Sequence, residues 1–166
     1  NVKITWFGHA CFGIDSEDVS IVIDPYDEVP GYAFLDLEAD RVYCTHGHGD
    51  HNAVERVRLS GRETEVSVEE IASFHDDQEG KLRGPNTIFV FHLGGYKIVH
   101  MGALGHDLDA EEISRLADTD LLMIPVGGHY TIDGDLAAKI VKTLKPRLVI
   151  PMHYREGKAA FDVLST

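Results

Sequence analysis

Thr45-His46-Gly47-His48-Gly49-Asp50-His51 places four side chains able to bind a metal within six consecutive residues, and the rest of the chain is best understood from this stretch outward. Asp40-Arg41-Val42-Tyr43-Cys44 precedes it, short and rich in β-forming residues, and reads as a buried strand running into a glycine-punctuated turn. The candidate ligands therefore sit at a strand's end. In extended backbone His46 and His48, two residues apart, project to the same side and can converge on one ion. Asp50 and His51 are adjacent and lead into Asn52-Ala53-Val54-Glu55-Arg56-Val57, which reads as a short helix. Their side chains leave the turn in another direction and suit a second ion beside the first.

With 166 residues the chain can build one core, and no composition shift marks a linker, so a single domain over 1–166 is expected. Apolar residues at 43% and charged residues at 26% are ordinary for a soluble globular protein. No apolar run approaches a membrane span, and no signal-peptide pattern opens the chain. Fifteen Lys and Arg stand against 28 Asp and Glu, and a net charge of −13 repels phosphate backbones. A small-molecule substrate is expected as partner, without nucleic acid or membrane. Cys11 and Cys44 lie in apolar surroundings and read as reduced, buried thiols, which fits a cytoplasmic setting. Cys44 is in phase with His46 but lies inside the strand.

Strands are predicted over 2–7, 8–14 and 19–23, the last ending at Asp24-Pro25-Tyr26, where proline breaks the ladder and Asp24 can organise a turn. Residues 26–38 form an irregular loop, apolar for an exposed segment, with two readings: a packed-down connector or a border of a substrate cleft. The segment 63–74 alternates as one bent strand or two short ones. Segments 87–93 and 96–101 flank Gly94-Gly95, a pair suited to a two-residue hairpin turn, and their His92 and His100 read as packing or surface residues. Asp109 and Glu112 have capping-box spacing, with Ala110, Ile113, Leu116 and Ala117 on one helical face. The apolar run 121–126 suits a strand buried on both faces. A helix from about Asp133 carries Leu136, Ala137, Ile140, Val141 and Leu144 and stops before Pro146, and 147–152 reads as a last buried strand.

The order His46-x-His48-x-Asp50-His51 resembles the metallo-β-lactamase superfamily of metal-dependent hydrolases. Gly8-His9-Ala10-Cys11-Phe12 and Ile23-Asp24-Pro25 strengthen the resemblance, which is nearest to the small branch related to ascorbate-6-phosphate lactonase and runs from residue 2 to about 155. It implies an α+β fold, a compact version of the four-layer αββα sandwich. It also implies that His46, His48 and His75 hold one divalent ion and that Asp50, His51 and His153 hold a second. Zinc suits so His-rich a set, with manganese or iron as alternatives. Asp50 is the candidate catalytic residue, orienting a metal-activated water. His9, His106, His129 and Tyr130 are candidates for substrate contact, each with a structural alternative: a turn cap for His9, a helix cap for His106, backbone-fixing roles for His129 and Tyr130. Asp76 and Asp77 are either acceptors for imidazole N–H groups or simply solvated.

In Met101-Gly102-Ala103-Leu104-Gly105-His106 the chain departs from the family pattern, which has Asp at the position of Ala103. That Asp bridges the two ions. Two dications about 3.5 to 4 Å apart repel by something on the order of 20 kcal/mol at an effective dielectric constant of about 20, and bridging anions offset this. With a methyl group at 103, weaker occupancy of the second site and reduced activity are expected. The resemblance thus implies a metal-dependent hydrolase acting on a small ester, lactone or phosphodiester, weakened at Ala103. The alternatives are a catalytically impaired metal-binding or ligand-binding protein on the same fold, and a metal-dependent oxidoreductase.

Overall fold

The computed structural model describes residues 1–155 and 164. Along the chain run β1 (Lys3–Gly8), β2 (Cys11–Asp15), β3 (Ser20–Ile23), β4 (Leu37–Ala39), β5 (Arg41–Tyr43), β6 (Val57–Leu59), β7 (Ser67–Phe74), β8 (Pro85–Leu93), β9 (Tyr96–His100), α1 (Ala110–Arg115), β10 (Leu121–Pro125), α2 (Gly134–Leu144) and β11 (Leu148–Met152). One sheet has the order β1-β2-β3-β5, the second β11-β10-β9-β8-β7, and β4 pairs with β6 alone.

The layers follow from the two-residue period of the strands. Phe12, Ile14, Ile21 and Ile23 of the first sheet meet Phe89, Phe91, Leu93 and Met123 of the second, forming the core between the sheets. Their neighbours Cys11 and Val22 point outward and are covered by Tyr26, Val29, Leu35, Ala39 and Val57. On the far side of the second sheet, Ile88, Val90, Leu122 and Ile124 pack against Leu116, Ala137, Ile140 and Leu144. Each fully buried side chain of this size contributes about 1.5–3 kcal/mol.

Among the described residues, α1 and α2 both pack on the second sheet, and the outer side of the first sheet is covered by loop, the β4–β6 pair, a 3-10 turn at Val54–Arg56 and Leu164. The helix expected over 52–57 is reduced to that turn because buried Val57 already belongs to β6, paired with Leu37. The loop 26–38 is a packed-down connector, with Tyr26, Val29 and Leu35 in the core. The run 121–125 is buried at every residue, as expected, but β11 is not: it is an edge strand with Leu148, Val149 and Pro151 exposed. Proline, lacking an N–H, is suited to such an edge. Asp109 forms both halves of the predicted capping box with Glu112, and Asp133 caps α2. No helix among the described residues is long and apolar enough to cross a membrane.

Strand direction positions the site. β1 and β3 are both antiparallel to β2, and β5 is parallel to β3, so β1, β3 and β5 run the same way. By the same logic β7, β9, β10 and β11 run together in the second sheet. Every chemistry-bearing segment follows the C-terminal end of one of these strands: His9, Asp24, His46, His75, Ala103 and His153 lie after β1, β3, β5, β7, β9 and β11. Carboxyl ends of co-directional strands are where α/β sheets place their ligands, and here two sheets contribute to one rim.

Candidate metal centre

Two groups of side chains meet at that rim. His46, His48 and His75 each offer a ligand atom within 4.8 Å of the others, with His48 the exposed member. Their ring centroids are 4.5 to 4.9 Å apart. His9, Asp50, His51 and His153 form a second group within the same limit. Asp50 is its hub: its Oδ2 lies 2.8 Å from His9 Nε2, 3.2 Å from His51 Nε2 and 3.8 Å from His153 Nε2. The groups adjoin, with the His46 and His51 ring centroids 4.1 Å apart.

Asp24 ties the two groups together. It is fully buried and accepts the Thr45 N–H and Thr45 hydroxyl, both at 2.7 Å, and His51 Nδ1–H at 2.7 Å. Because the Thr45 hydroxyl spends its only proton on Asp24, its oxygen must accept from His46 Nδ1, 3.0 Å away. His46 is thereby fixed as the Nδ1–H tautomer, leaving Nε2 with a lone pair. Fixing one ring nitrogen to free the other is how proteins prepare an imidazole for a metal. From sequence Asp24 suggested only a turn. Its partners lie 21 and 27 residues away, so nothing local announces the role. Its φ of 51°, like those of His9 at 51° and His153 at 56°, is left-handed, an uncommon state for residues with a side chain and one that gathers at functional sites.

The donor chemistry fits divalent metal. His46 Nε2 and His75 Nδ1 are buried without a hydrogen-bond partner, which costs free energy unless a ligand takes them up. Burial, reinforced by neighbouring imidazoles, pushes His46 down to about 2 and His153 to about 3, and burial pushes His75 to about 4, so all three rings are neutral near pH 7. His51 goes the other way. Burial lowers it, but Asp24 and Asp50 outweigh burial and raise it to about 9. Burial raises Asp50, yet His51 and hydrogen bonds from His153, His51 and His9 hold it far below the carboxylate range. Cys44, pushed up to about 12 by burial, is no thiolate ligand.

A cleft of about 290 Å³ opens over the two groups, lined by His48, Asp50, His75, Arg83, Tyr130 and His153. Of the four candidates for substrate contact, Tyr130 lines it. His9 is fully buried behind Asp50. His106 accepts from Phe74 N and donates to Asp107 O, away from the cleft. His129 sets its ring edge against Tyr130. Asp76 is neither an imidazole acceptor nor solvated: it is buried and accepts four backbone N–H groups, from Gln78, Gly80, Leu82 and Arg83. Two glycines allow the loops to close here. A Cβ on Gly105 would strike the backbone of His75 and Asp76, and one on Gly127 the carbonyl of His153. Ala103 is fully buried, its N–H held by Asn86 Oδ1 at 3.0 Å, and Gly102 beside it abuts Thr45.

Comparison with known proteins gives the family. Residues 3–153 match the family model described as a β-lactamase superfamily domain. A metal-dependent hydrolase of the UPF0173 group from Thermoplasma acidophilum is 31% identical, the match covering 99% of this chain and 86% of that protein. A Thermotoga maritima structure of the metallo-β-lactamase superfamily superposes with a TM-score of 0.76 at 32% identity, over 99% of this chain and 81% of that one. A metallo hydrolase from Ignicoccus hospitalis shares the fold, with a TM-score of 0.70 at 24% identity over 99% and 86% of the two chains. The two packed sheets are those of that superfamily's αββα sandwich, and the chain belongs to the β-lactamase superfamily as one of its metal-dependent hydrolases.

Proposed function

We propose that the chain hydrolyses a small ester, lactone or phosphodiester with a metal-activated water, at a rate held down by Ala103. The adjoining of two ligand groups beneath one small cleft carries this proposal. His46, His48 and His75 hold the first ion, and Asp50, His51 and His153 the second, with zinc the ion best suited to the set. A bound divalent ion supplies Lewis acidity and lowers the pKa of a water it holds to about 7. The protein's own contributions are positional. Asp24 and Thr45 orient His46 and His51, and His9 turns the Asp50 carboxylate toward the cleft. Asp50, deprotonated at all working pH values, aims the attacking water and takes up its proton's hydrogen bond.

Ala103 puts a methyl group where relatives of this pattern carry the bridging carboxylate, so the repulsion between two dications is less fully offset and the second ion is held more weakly. The same residue favours the second proposal, a protein that binds metal and ligand with little turnover. Zinc content and hydrolysis of 4-nitrophenyl acetate, a simple lactone and bis(4-nitrophenyl) phosphate, measured on this protein and on Ala103→Asp, test both. The expected result is up to two zinc ions per chain and at least tenfold faster hydrolysis in Ala103→Asp. Equal zinc content and equal rates in the two proteins would overturn the account of position 103, and absence of zinc from both would overturn the metal assignment.

A further inference from the structure

We infer that Arg83 is the anion-recognition residue of this cleft and that the substrate presents to it an oxyanion group, a phosphate or a carboxylate. The inference rests on the metal-hydrolase proposal and sharpens its substrate class. Of the six cleft-lining residues, four belong to the ligand groups, leaving Arg83 and Tyr130 to face the substrate.

Arg83 is the one arginine or lysine among the residues lining the cleft. In a chain with 28 acidic residues, Arg56, Arg58, Arg62 and Arg147 each pair with an aspartate. The guanidinium of Arg83 has no hydrogen-bond or ion-pair acceptor among the described residues. Its Cζ lies over the face of Tyr130, 5.7 Å from the ring centroid. A guanidinium held over an aromatic face by a cation–π contact keeps its N–H donors for a ligand.

The residue is also held in place beforehand. Asp76 gathers the backbone N–H groups of Gln78, Gly80, Leu82 and Arg83 at 2.8 to 3.0 Å, cinching residues 76–83 into a closed loop immediately after the ligand His75. A loop ordered before binding loses little entropy when the ligand arrives. The guanidinium fork matches the paired oxygens of phosphate and carboxylate. A cleft of about 290 Å³ has room for a small anionic compound and little more. The missing carboxylate at Ala103 adds a reason in the same direction, because an anion brought by the substrate offsets repulsion that the protein leaves standing.

Calorimetric titration of the zinc-loaded protein with inorganic phosphate and, separately, with acetate tests the inference. Arg83→Ala is expected to lower affinity for one of the two anions roughly 10- to 100-fold, the loss anticipated for a charge-assisted bidentate pair, with zinc content unchanged. Arg83→Lys should recover only part of that loss, since an ammonium acts as a point charge. A loss confined to phosphate identifies a phosphate group on the substrate, and one confined to acetate a carboxylate. Unchanged affinity for both anions at unchanged zinc content overturns the assignment of Arg83 alone. Loss of zinc from Arg83→Ala makes the residue structural and also overturns it, whereas a wild-type protein without zinc overturns the metal-hydrolase proposal and this one with it.

Discussion

The two halves of the candidate metal centre are built on opposite principles. His46, His48 and His75 form a carboxylate-free trio of imidazoles, and burial keeps His46 and His75 neutral. A cation entering the trio meets open lone pairs and displaces little. Asp50, His51 and His153 are already engaged with one another and with His9, and His51 between two carboxylates holds a proton at neutral pH. A cation entering there must expel that proton and loosen existing contacts. In the trio His46 and His75 have no added proton to expel and the second group holds one on His51, which is a physical reason, beyond Ala103, for the second ion to be the weaker one. Asp24 is the exception to the division, since it supports His51 directly and His46 through Thr45.

Removing Asp24 should therefore erase the contrast and have the largest effect of any change in the centre. Asp24→Ala strands three buried donors, the Thr45 N–H, the Thr45 hydroxyl and His51 Nδ1–H, and leaves His51 charged with one carboxylate instead of two. Loss of one partner from a buried ionic network costs roughly 3–5 kcal/mol. Urea unfolding of the metal-free protein measures it. A loss below about 1 kcal/mol would show that Asp24 is not the common support of the two groups.

A smaller effect separates the halves instead of merging them. His48→Ala leaves only the second group able to hold zinc, and His153→Ala leaves only the trio. In His48→Ala the ion competes with the proton on His51, whose pKa is raised to about 9, so affinity should fall about tenfold for each pH unit below that value. The sign is set by the proton: bound below about pH 9, it opposes the metal increasingly as pH falls. In His153→Ala no such proton stands in the way on His46 or His75, held at about 2 and about 4. Between pH 7 and 8.5 the trio's zinc affinity should change distinctly less. Equal slopes in the two variants, followed by competition against a chelator, would dissolve the distinction.

How much of this was legible in the chain depends on how local the cause is. His46, His48, Asp50 and His51 announce themselves by spacing, Asp109 and Glu112 by the capping box, and Gly94-Gly95 by the hairpin they close. All are interactions within a few residues. Arg83 was invisible, because its meaning comes from Tyr130, 47 positions later and in the other half of the second sheet's connections. Asp24 was half visible: the strand break at Pro25 could be read, the link to Thr45 and His51 could not. The exposed edge at β11 was hidden for a different reason. An apolar strand with one neighbour has the same composition as an apolar strand with two, and only topology distinguishes them.

The smallest predicted effect isolates one half of the shared support. Thr45→Val keeps the shape of the side chain and removes the hydroxyl that passes the hold of Asp24 on to His46. His51 keeps its own bond to Asp24, so the second group should be untouched. His46 loses the acceptor that fixed its Nδ1–H tautomer, and its ring is free to adopt orientations that do not point Nε2 at the ion. Loss of such a support lowers metal affinity by about 10- to 100-fold, and the low end is expected here because His48 and His75 remain in place. Zinc titration of Thr45→Val in the His153→Ala background should show that drop, while the same change in the His48→Ala background should show none. A drop in both backgrounds would mean that the hydroxyl matters through Asp24 itself, and the two halves would then be coupled more tightly than their separate ligand groups imply.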